Sequence, residues 1–247
     1  MPAAITRRYV ARTARTRADI EAAQALRALC FGTARPGAAL DRDAFDAACT
    51  HVLVEDTRSG AAVCCFRLLG LANGAAIGRS YAAQFYDLSA LAAFAGPMIE
   101  IGRFCIHPEV RSPDVLRAAW GALTRAVDER GAEMLFGCSS FRGTDAEAYL
   151  DAFAWLGERH LGPHRWRPRI KAPGVFRFAH HLRQRSPDAR LAMRRMPPLL
   201  RSYLAMGGWV SDHAVVDPQM NTLHVFTGLE IRAIPAARQR LLRAVAS

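Results

Sequence analysis

Apolar and polar positions along the chain follow two periods. Residues 9–14 alternate weakly, as a strand does. Residues 18–31 place Ala22, Ala25, Leu26, Leu29 and Cys30 on one helical stripe, with Arg27 and Phe31 side by side on its neighbour. A Gly/Pro-containing stretch over 32–40 predicts a loop, and 41–49 a short helix behind an acidic cap, Asp41. Residues 51–55 and 61–71 predict two strands around the turn at 56–60, and 71–91 is mixed. The run from 98 to 106 is apolar and β-branched, yet it carries Glu100, Gly102 and Arg103 through its middle. After the break at His107-Pro108, Ser112 as N-cap and Pro113 at the first helical position open a helix. Its face is Leu116, Trp120, Leu123 and Val127, and it stops at Gly131. A buried strand at 134–140 and a helix at 145–160 follow. This alternation predicts an α/β fold with a mixed central sheet flanked by helices.

The last third has a different texture. Arg165, Arg167, Arg169 and Lys171 alternate with Trp166, Pro168 and Ile170. From Pro197 the pattern predicts a short amphipathic helix with a proline start, a Gly207-Gly208 stop and an interfacial-looking Trp209. For 194–209, contact with a membrane surface and packing onto the sheet both fit. Residues 215–216 and 222–229 predict closing strands. With no internal repeat or low-complexity tract, the expectation is one domain over 1–247 with a basic C-terminal part from about 163.

Charge narrows the partners. The net charge is +11 over 247 residues, with a pI near 10.2, and Lys171 is the only lysine, so the positive charge is almost all arginine. Guanidinium groups stay protonated and fork onto carboxylate or phosphate. Nucleic acid, an acidic carrier protein or an anionic membrane surface would each suit. The six cysteines show no C-x-x-C pair, which predicts reduced thiols in a cytoplasmic protein. The N-terminal residues lack a secretory apolar region, and charges and prolines interrupt every run that could span a bilayer, so any membrane contact is expected to be peripheral. No spacing predicts a metal site or a bound cofactor, and serine-hydrolase, Walker and dinucleotide motifs are missing. What remains are acids and arginines: Arg27, Asp43, Asp46, Arg67, Glu100 and Arg103. Any one of them is explained by a surface ion pair, and Glu100 with Arg103 by an edge-strand salt bridge. Arg67 and Arg103 lie in runs suited to the core, where a charge must be paired.

In order along the chain, Arg27-x-x-x-Phe31, Asp43-x-Phe45-Asp46, Phe66-Arg67-Leu68-Leu69 and Glu100-x-x-Arg103-Phe104 resemble the signature of acyl-homoserine-lactone synthases, which use a GNAT-type acyltransferase fold. The later part resembles more closely a sister family, the L-ornithine Nα-acyltransferases of ornithine-lipid synthesis. The segments that carry this are Leu135-Phe136-Gly137-Cys138-Ser139-Ser140-Phe141-Arg142-Gly143-Thr144-Asp145, Met196-Pro197-Pro198-Leu199-Leu200, and Gly207-Gly208-Trp209-Val210-Ser211-Asp212 followed by Val215-Val216-Asp217. The likeness spans roughly residues 9 to 230.

The resemblance implies transfer of a 3-hydroxyacyl chain from acyl carrier protein to the α-amine of ornithine, giving a lyso-ornithine lipid. An α-amine titrates near pH 8, roughly two and a half units below a lysine-type amine, so mild base help suffices. In this reading Glu100 is the base and Arg103 holds it, and strand amides from Phe104 to Ile106 face the thioester oxygen. Arg27, Phe31, Asp43, Asp46 and Arg67 shape the acyl and amine pocket, to which Ser139 and Ser140 are also assigned. Asp212 and Asp217 hold the side-chain ammonium or serve as turn formers. The place of the GNAT pyrophosphate loop reads Val110-Arg111-Ser112-Pro113-Asp114, without glycines. A carrier's phosphopantetheine, with one phosphate on Arg111 and Ser112 at the helix start, fits that place better than coenzyme A. Acyl-carrier thioester is then a co-substrate, and the expected partners are the acidic carrier, ornithine and an anionic membrane, with no nucleic acid. Rival readings are a homoserine-lactone synthase, acyl transfer to another amino acid, and a basic nucleic-acid-binding protein. The last needs exposed aromatics among its basic residues, and only 165–171 approaches that.

Overall fold

A computed structural model describes residues 7–32 and 40–246; the loop expected at 32–40 lies mostly outside them. In chain order the elements are β1 Tyr9–Thr13, α1 Arg17–Phe31, β2 Thr50–Asp56, β3 Ala62–Leu71, β4 Tyr86–Asp87, β5 Met98–Ile106, α2 Pro113–Arg130, β6 Met134–Arg142, α3 Leu150–Arg159, β7 Arg169–Ile170, β8 Val175–Phe176, α4 Phe178–His181, α5 Ala189–Arg195, α6 Pro198–Ala205, β9 Trp209–Asp217, β10 Thr222–Glu230 and α7 Ala236–Ala246. They fall into two compact units: Met1–Leu69, Ile101–Gly131 and Ala237–Ser247 form the first, Gly70–Glu100 and Ala132–Ala236 the second.

In the first unit β1, β2 and β3 form an antiparallel ladder, from Tyr9 opposite Asp56 to Thr50 opposite Leu68. The His107 amide bonds the Val63 carbonyl at 2.8 Å, tying the end of β5 to the start of β3. Helix α1 opens with a capping box between Thr16 and Asp19 and ends on left-handed Gly32. Its buried positions are Ala23, Gln24, Leu26, Arg27 and Ala28, while Leu29 is 54% exposed. The expected apolar stripe is therefore displaced: the helix turns a polar pair inward because carboxylates wait there. Helix α2 has the expected start and stop, with Ser112 accepting from the Asp114 amide and Gly131 left-handed, and it buries Val115, Ala119, Leu123 and Val127. The expected 41–49 helix is only a 3₁₀ turn at Asp46–Ala48, since the aspartates ahead of it bond side chains instead of capping a helix. Helix α7 has no counterpart in the sequence pattern; it lies on α2, where a Cβ at Gly121 would come within 2.9 Å of the Val245 carbonyl.

The second unit is built on the antiparallel order β6-β10-β9-β8, with β4 paired to β7. Strand β9 is longer than the two residues expected, because it bulges: Val225 faces Ala214 and Thr227 faces Val210, leaving Phe226 opposite three residues. The Ser211 hydroxyl fills the bulge, accepting from the Phe226 amide at 3.1 Å and donating to the His213 carbonyl at 2.7 Å. The helix expected over 145–160 divides into a 3₁₀ turn at Ala146–Tyr149 and α3. Helix α6 starts at the prolines as expected and buries Leu200 and Tyr203. Its apolar side joins a core with Phe153, Phe178, Met196 and Val210, so packing accounts for it. Trp209 is 6% exposed and fills space where Gly162 and Gly228 have no room for a Cβ, which corrects the interfacial role expected for it. Trp166, expected among exposed basic residues, is half-buried and edges onto Phe94.

Candidate active site

Five of the signature residues meet in the first unit, joined by Asp41. Arg27 bonds Asp41 through Nε at 3.0 Å and Asp46 through Nη1 at 2.7 Å. Arg67 bonds Asp46 at 2.8 Å and Asp43 at 2.8 Å. Arg103 bonds Asp43 at 3.1 Å and Asp41 at 3.1 Å. The six side chains thus close a ring in which arginine and aspartate alternate, and its formal charge is zero. Arg27 and Arg67 are almost wholly buried, and Gln24 adds a bond to Asp46 at 2.9 Å. Burial works to raise the Asp46 carboxyl, but Arg27, Gln24 and Arg67 outweigh it and bring it down to about 2. Asp43 is likewise lowered by Arg67 and Arg103 against its burial. Carboxylates held this way are poor bases. They fasten α1, the 41–48 segment, β3 and β5 to one another.

The ring also explains a feature of β5. Arg103 has φ +53°, a left-handed conformation that is uncommon for a residue with a side chain and costs on the order of 1 kcal/mol. Both carboxylates that grip its guanidinium oppose its relaxation. At Gly102 a Cβ would approach Arg67 Nε to 3.3 Å, so glycine makes way for the arginine beneath. Phe31 lies under Arg103, 5.9 Å from the ring centroid, and Phe104 stacks on Phe66 at 5.4 Å. Ser112 serves as the α2 cap, and Arg111 beside it is exposed.

The other expected residues lie in the second unit and are not gathered in one place. Glu100 is 4% exposed, and its two oxygens accept the Tyr81 and Ala82 amides at 2.8 and 2.7 Å, which anchors the turn at Ala82–Gln84. Ser139 is buried and accepts from the Thr227 hydroxyl at 2.8 Å, whereas Ser140 is exposed. Asp217 accepts the Gln219 and Met220 amides, so its carboxylate forms the turn. Asp212 is half-exposed in the β9 bulge, and its bond of 2.7 Å to His213 Nδ1 lowers its carboxyl.

Sequence reasoning did not single out three neighbouring residues. Tyr86 donates to the His224 carbonyl at 2.8 Å, so the 3.1 Å contact with His224 Nδ1 has that nitrogen donating to the phenol oxygen. Burial pushes His224 down to about 4, which makes it a neutral imidazole. His213, re-aimed by the bulge, lies with its ring 5.3 Å from Tyr86. Their only signal in the sequence is histidine inside apolar runs.

Residues 27–121, which hold the ring, β5 and the start of α2, match the family described as acetyltransferase (GNAT) domain. The fold agrees: FeeM, an N-acyl amino acid synthase from uncultured soil microbes, superposes with a TM-score of 0.54 at 11% identity, covering 95% of this chain and all of FeeM. The chain therefore has the α/β fold of the GNAT type, as expected. At 35% identity it is similar to the L-ornithine N(alpha)-acyltransferase of Rhodobacter capsulatus, over 92% of this chain and 91% of that protein. The protein of the same description from Agrobacterium fabrum is 30% identical over 90% of this chain and 81% of its own length. The chain belongs to the L-ornithine N(alpha)-acyltransferase family.

Proposed function

We propose that this enzyme moves a (3-hydroxy)acyl chain from acyl carrier protein to the α-amine of ornithine, giving lyso-ornithine lipid, the first step of ornithine-lipid synthesis. The observation that carries the reading is near full-length similarity to proteins described as L-ornithine N(alpha)-acyltransferases. The neutral amine attacks the thioester carbonyl, the carrier's thiolate leaves, and the amine proton passes to Glu100 directly or through water. Amides from Phe104 to Ile106, next to the left-handed Arg103, face the carbonyl oxygen. The arginine–aspartate ring keeps that stretch of β5 in place. Asp212, ionised and half-exposed, takes the ornithine side-chain ammonium, a role that Asp217, occupied by its turn, does not need to share.

The donor is the carrier thioester, with no bound cofactor. Exposed Arg111 and the N-terminus of α2 suit a single phosphate. Among the described residues no helix is long and apolar enough to cross a membrane, and a lipid product calls for peripheral contact with an anionic leaflet. Purified enzyme given ornithine and either 3-hydroxyacyl carrier protein or the same acyl group on coenzyme A tests the donor. We expect N-acyl-ornithine by mass spectrometry from the carrier thioester at least tenfold faster; equal rates would remove the carrier from this account. Asp212→Asn is expected to raise the KM for ornithine severalfold with little change in kcat; an unchanged KM would free Asp212 from the amine.

A further inference from the structure

We infer that one face of the first unit, built from β1, the C-terminal half of α2 and α7, is where the enzyme meets an anionic bilayer. The inference rests on the reading of the product as a lipid and names the surface that meets it. Two grooves adjoin on this face and share Ala11 and Arg125. One, of about 470 Å³, has Arg12, Arg15, Arg125 and Arg130 around an apolar floor that includes Val52 and Leu68. The other, of about 530 Å³, runs between Arg7, Arg8, Val10, Arg117 and the end of α7. Asp114 and Glu129 are the acids in their walls.

Charge accounting separates these arginines into two groups. Arg8 is paired with Asp56, Arg12 with Asp19 and Glu55, and Arg117 with Asp114. The others bond neutral acceptors: Arg7 the Val245 carbonyl, Arg125 the Ala246 carbonyl and Arg130 the Thr50 hydroxyl. The Arg15 guanidinium has no carboxylate partner among the described residues. Four guanidinium groups on this surface, Arg7, Arg15, Arg125 and Arg130, therefore make no ion pair with a carboxylate among the described residues, against one unpaired acid, Glu129, and α7 adds exposed Arg238 and Arg240.

An apolar group stands on the same helix as the last two: Leu241 is 64% exposed on α7, a helix that buries none of its residues fully. Arginine beside an exposed aliphatic side chain is the composition of an interfacial surface: the guanidinium pairs with headgroup phosphate and the aliphatic group enters the acyl boundary. A nucleic acid would want exposed aromatics, and Tyr9, the aromatic residue lining these grooves, is 6% exposed.

Sedimentation of the full chain with phosphatidylcholine vesicles, with and without phosphatidylglycerol, tests the inference. We expect binding only to the anionic vesicles, falling as salt rises. Arg15→Glu with Arg130→Glu, both exposed, should weaken it by at least about 30-fold, the loss expected from removing two arginines at roughly 1 kcal/mol each near a charged leaflet, before the added negative charge counts. Arg183→Glu with Arg190→Glu on the second unit makes the same change in net charge and should weaken it far less. Equal losses in the two pairs, or no binding by the parent protein, would overturn the inference. Acyl transfer from soluble carrier without vesicles should be unchanged in the Arg15/Arg130 pair. Transfer lost while vesicle binding persists would give the face to the carrier and likewise overturn the inference. A parent protein that binds vesicles but acylates no ornithine would count against the reaction and not the surface.

Discussion

At the scale of single residues, the signature side chains gain their meaning from one another. A buried pair of opposite charges need not stabilise, but removing one member leaves the other uncompensated, at about 3–5 kcal/mol. Arg27→Met should therefore lower unfolding free energy in urea by at least about 3 kcal/mol, because Asp41 and Asp46 both lose their deepest partner. A loss under about 1 kcal/mol would mean that the ring does not hold the 41–48 segment. Glu100→Gln keeps the side-chain shape but puts an NH₂ against one of two amide donors. Turnover should fall at least tenfold while the melting temperature shows a folded protein; unchanged turnover would remove Glu100 from the base role. Arg67 and Arg103 were legible because charges inside apolar runs demand partners, whereas Arg27, Asp43 and Asp46 were marked only by the resemblance to the synthase signature. Asp41 was not legible, since an aspartate ahead of a helix-like run reads as a cap. The left-handed φ of Arg103 leaves no mark in composition.

At the scale of elements, hydrophobic period located nearly every strand and helix of the first two thirds and misjudged how some are turned. Helix α1 is the clearest case: periodicity put Leu29 on the apolar stripe and Arg27 on its neighbour, whereas Leu29 is exposed and Arg27 is buried with Gln24, because Asp46 bonds both polar side chains. Leu29→Lys should then change stability by no more than about 0.5 kcal/mol, whereas Leu26→Ala should cost about 2–4 kcal/mol. The opposite ranking in equilibrium unfolding would restore the stripe read from the sequence. Strand β9 shows the same limit, since a bulge shifts the alternation of inward and outward residues and hid most of the strand. Helix α7 has an arginine-rich pattern with no fully buried position, so no apolar stripe announced it.

At the scale of the whole molecule, pH acts on the two units in separate windows. His224 is held down at about 4 by burial, so the unfolded chain binds a proton that the native state refuses between that value and the ordinary histidine range. Stability should be full above about pH 6.5 and decline as pH falls toward 4, by about 3 kcal/mol, with His224→Phe flattening that part of the curve. Asp46, also held below its ordinary value, acts in the same direction at lower pH: its contribution is full above about pH 4 and is lost as pH drops through about 2. A flat profile between pH 4 and 6.5 in urea titrations would contradict the neutral buried imidazole. The net charge of +11 indicated an anionic partner without saying where it binds, because pairing with carboxylates decides which arginines remain available, and pairing is a property of the fold. The most direct test of the account offers purified enzyme 3-hydroxyacyl carrier protein with ornithine, lysine, glutamine and glycine, and reads the products by mass spectrometry. The account predicts an amide on the α-nitrogen of ornithine as the dominant product; no acylated ornithine, with another amino acid acylated in its place, would contradict it.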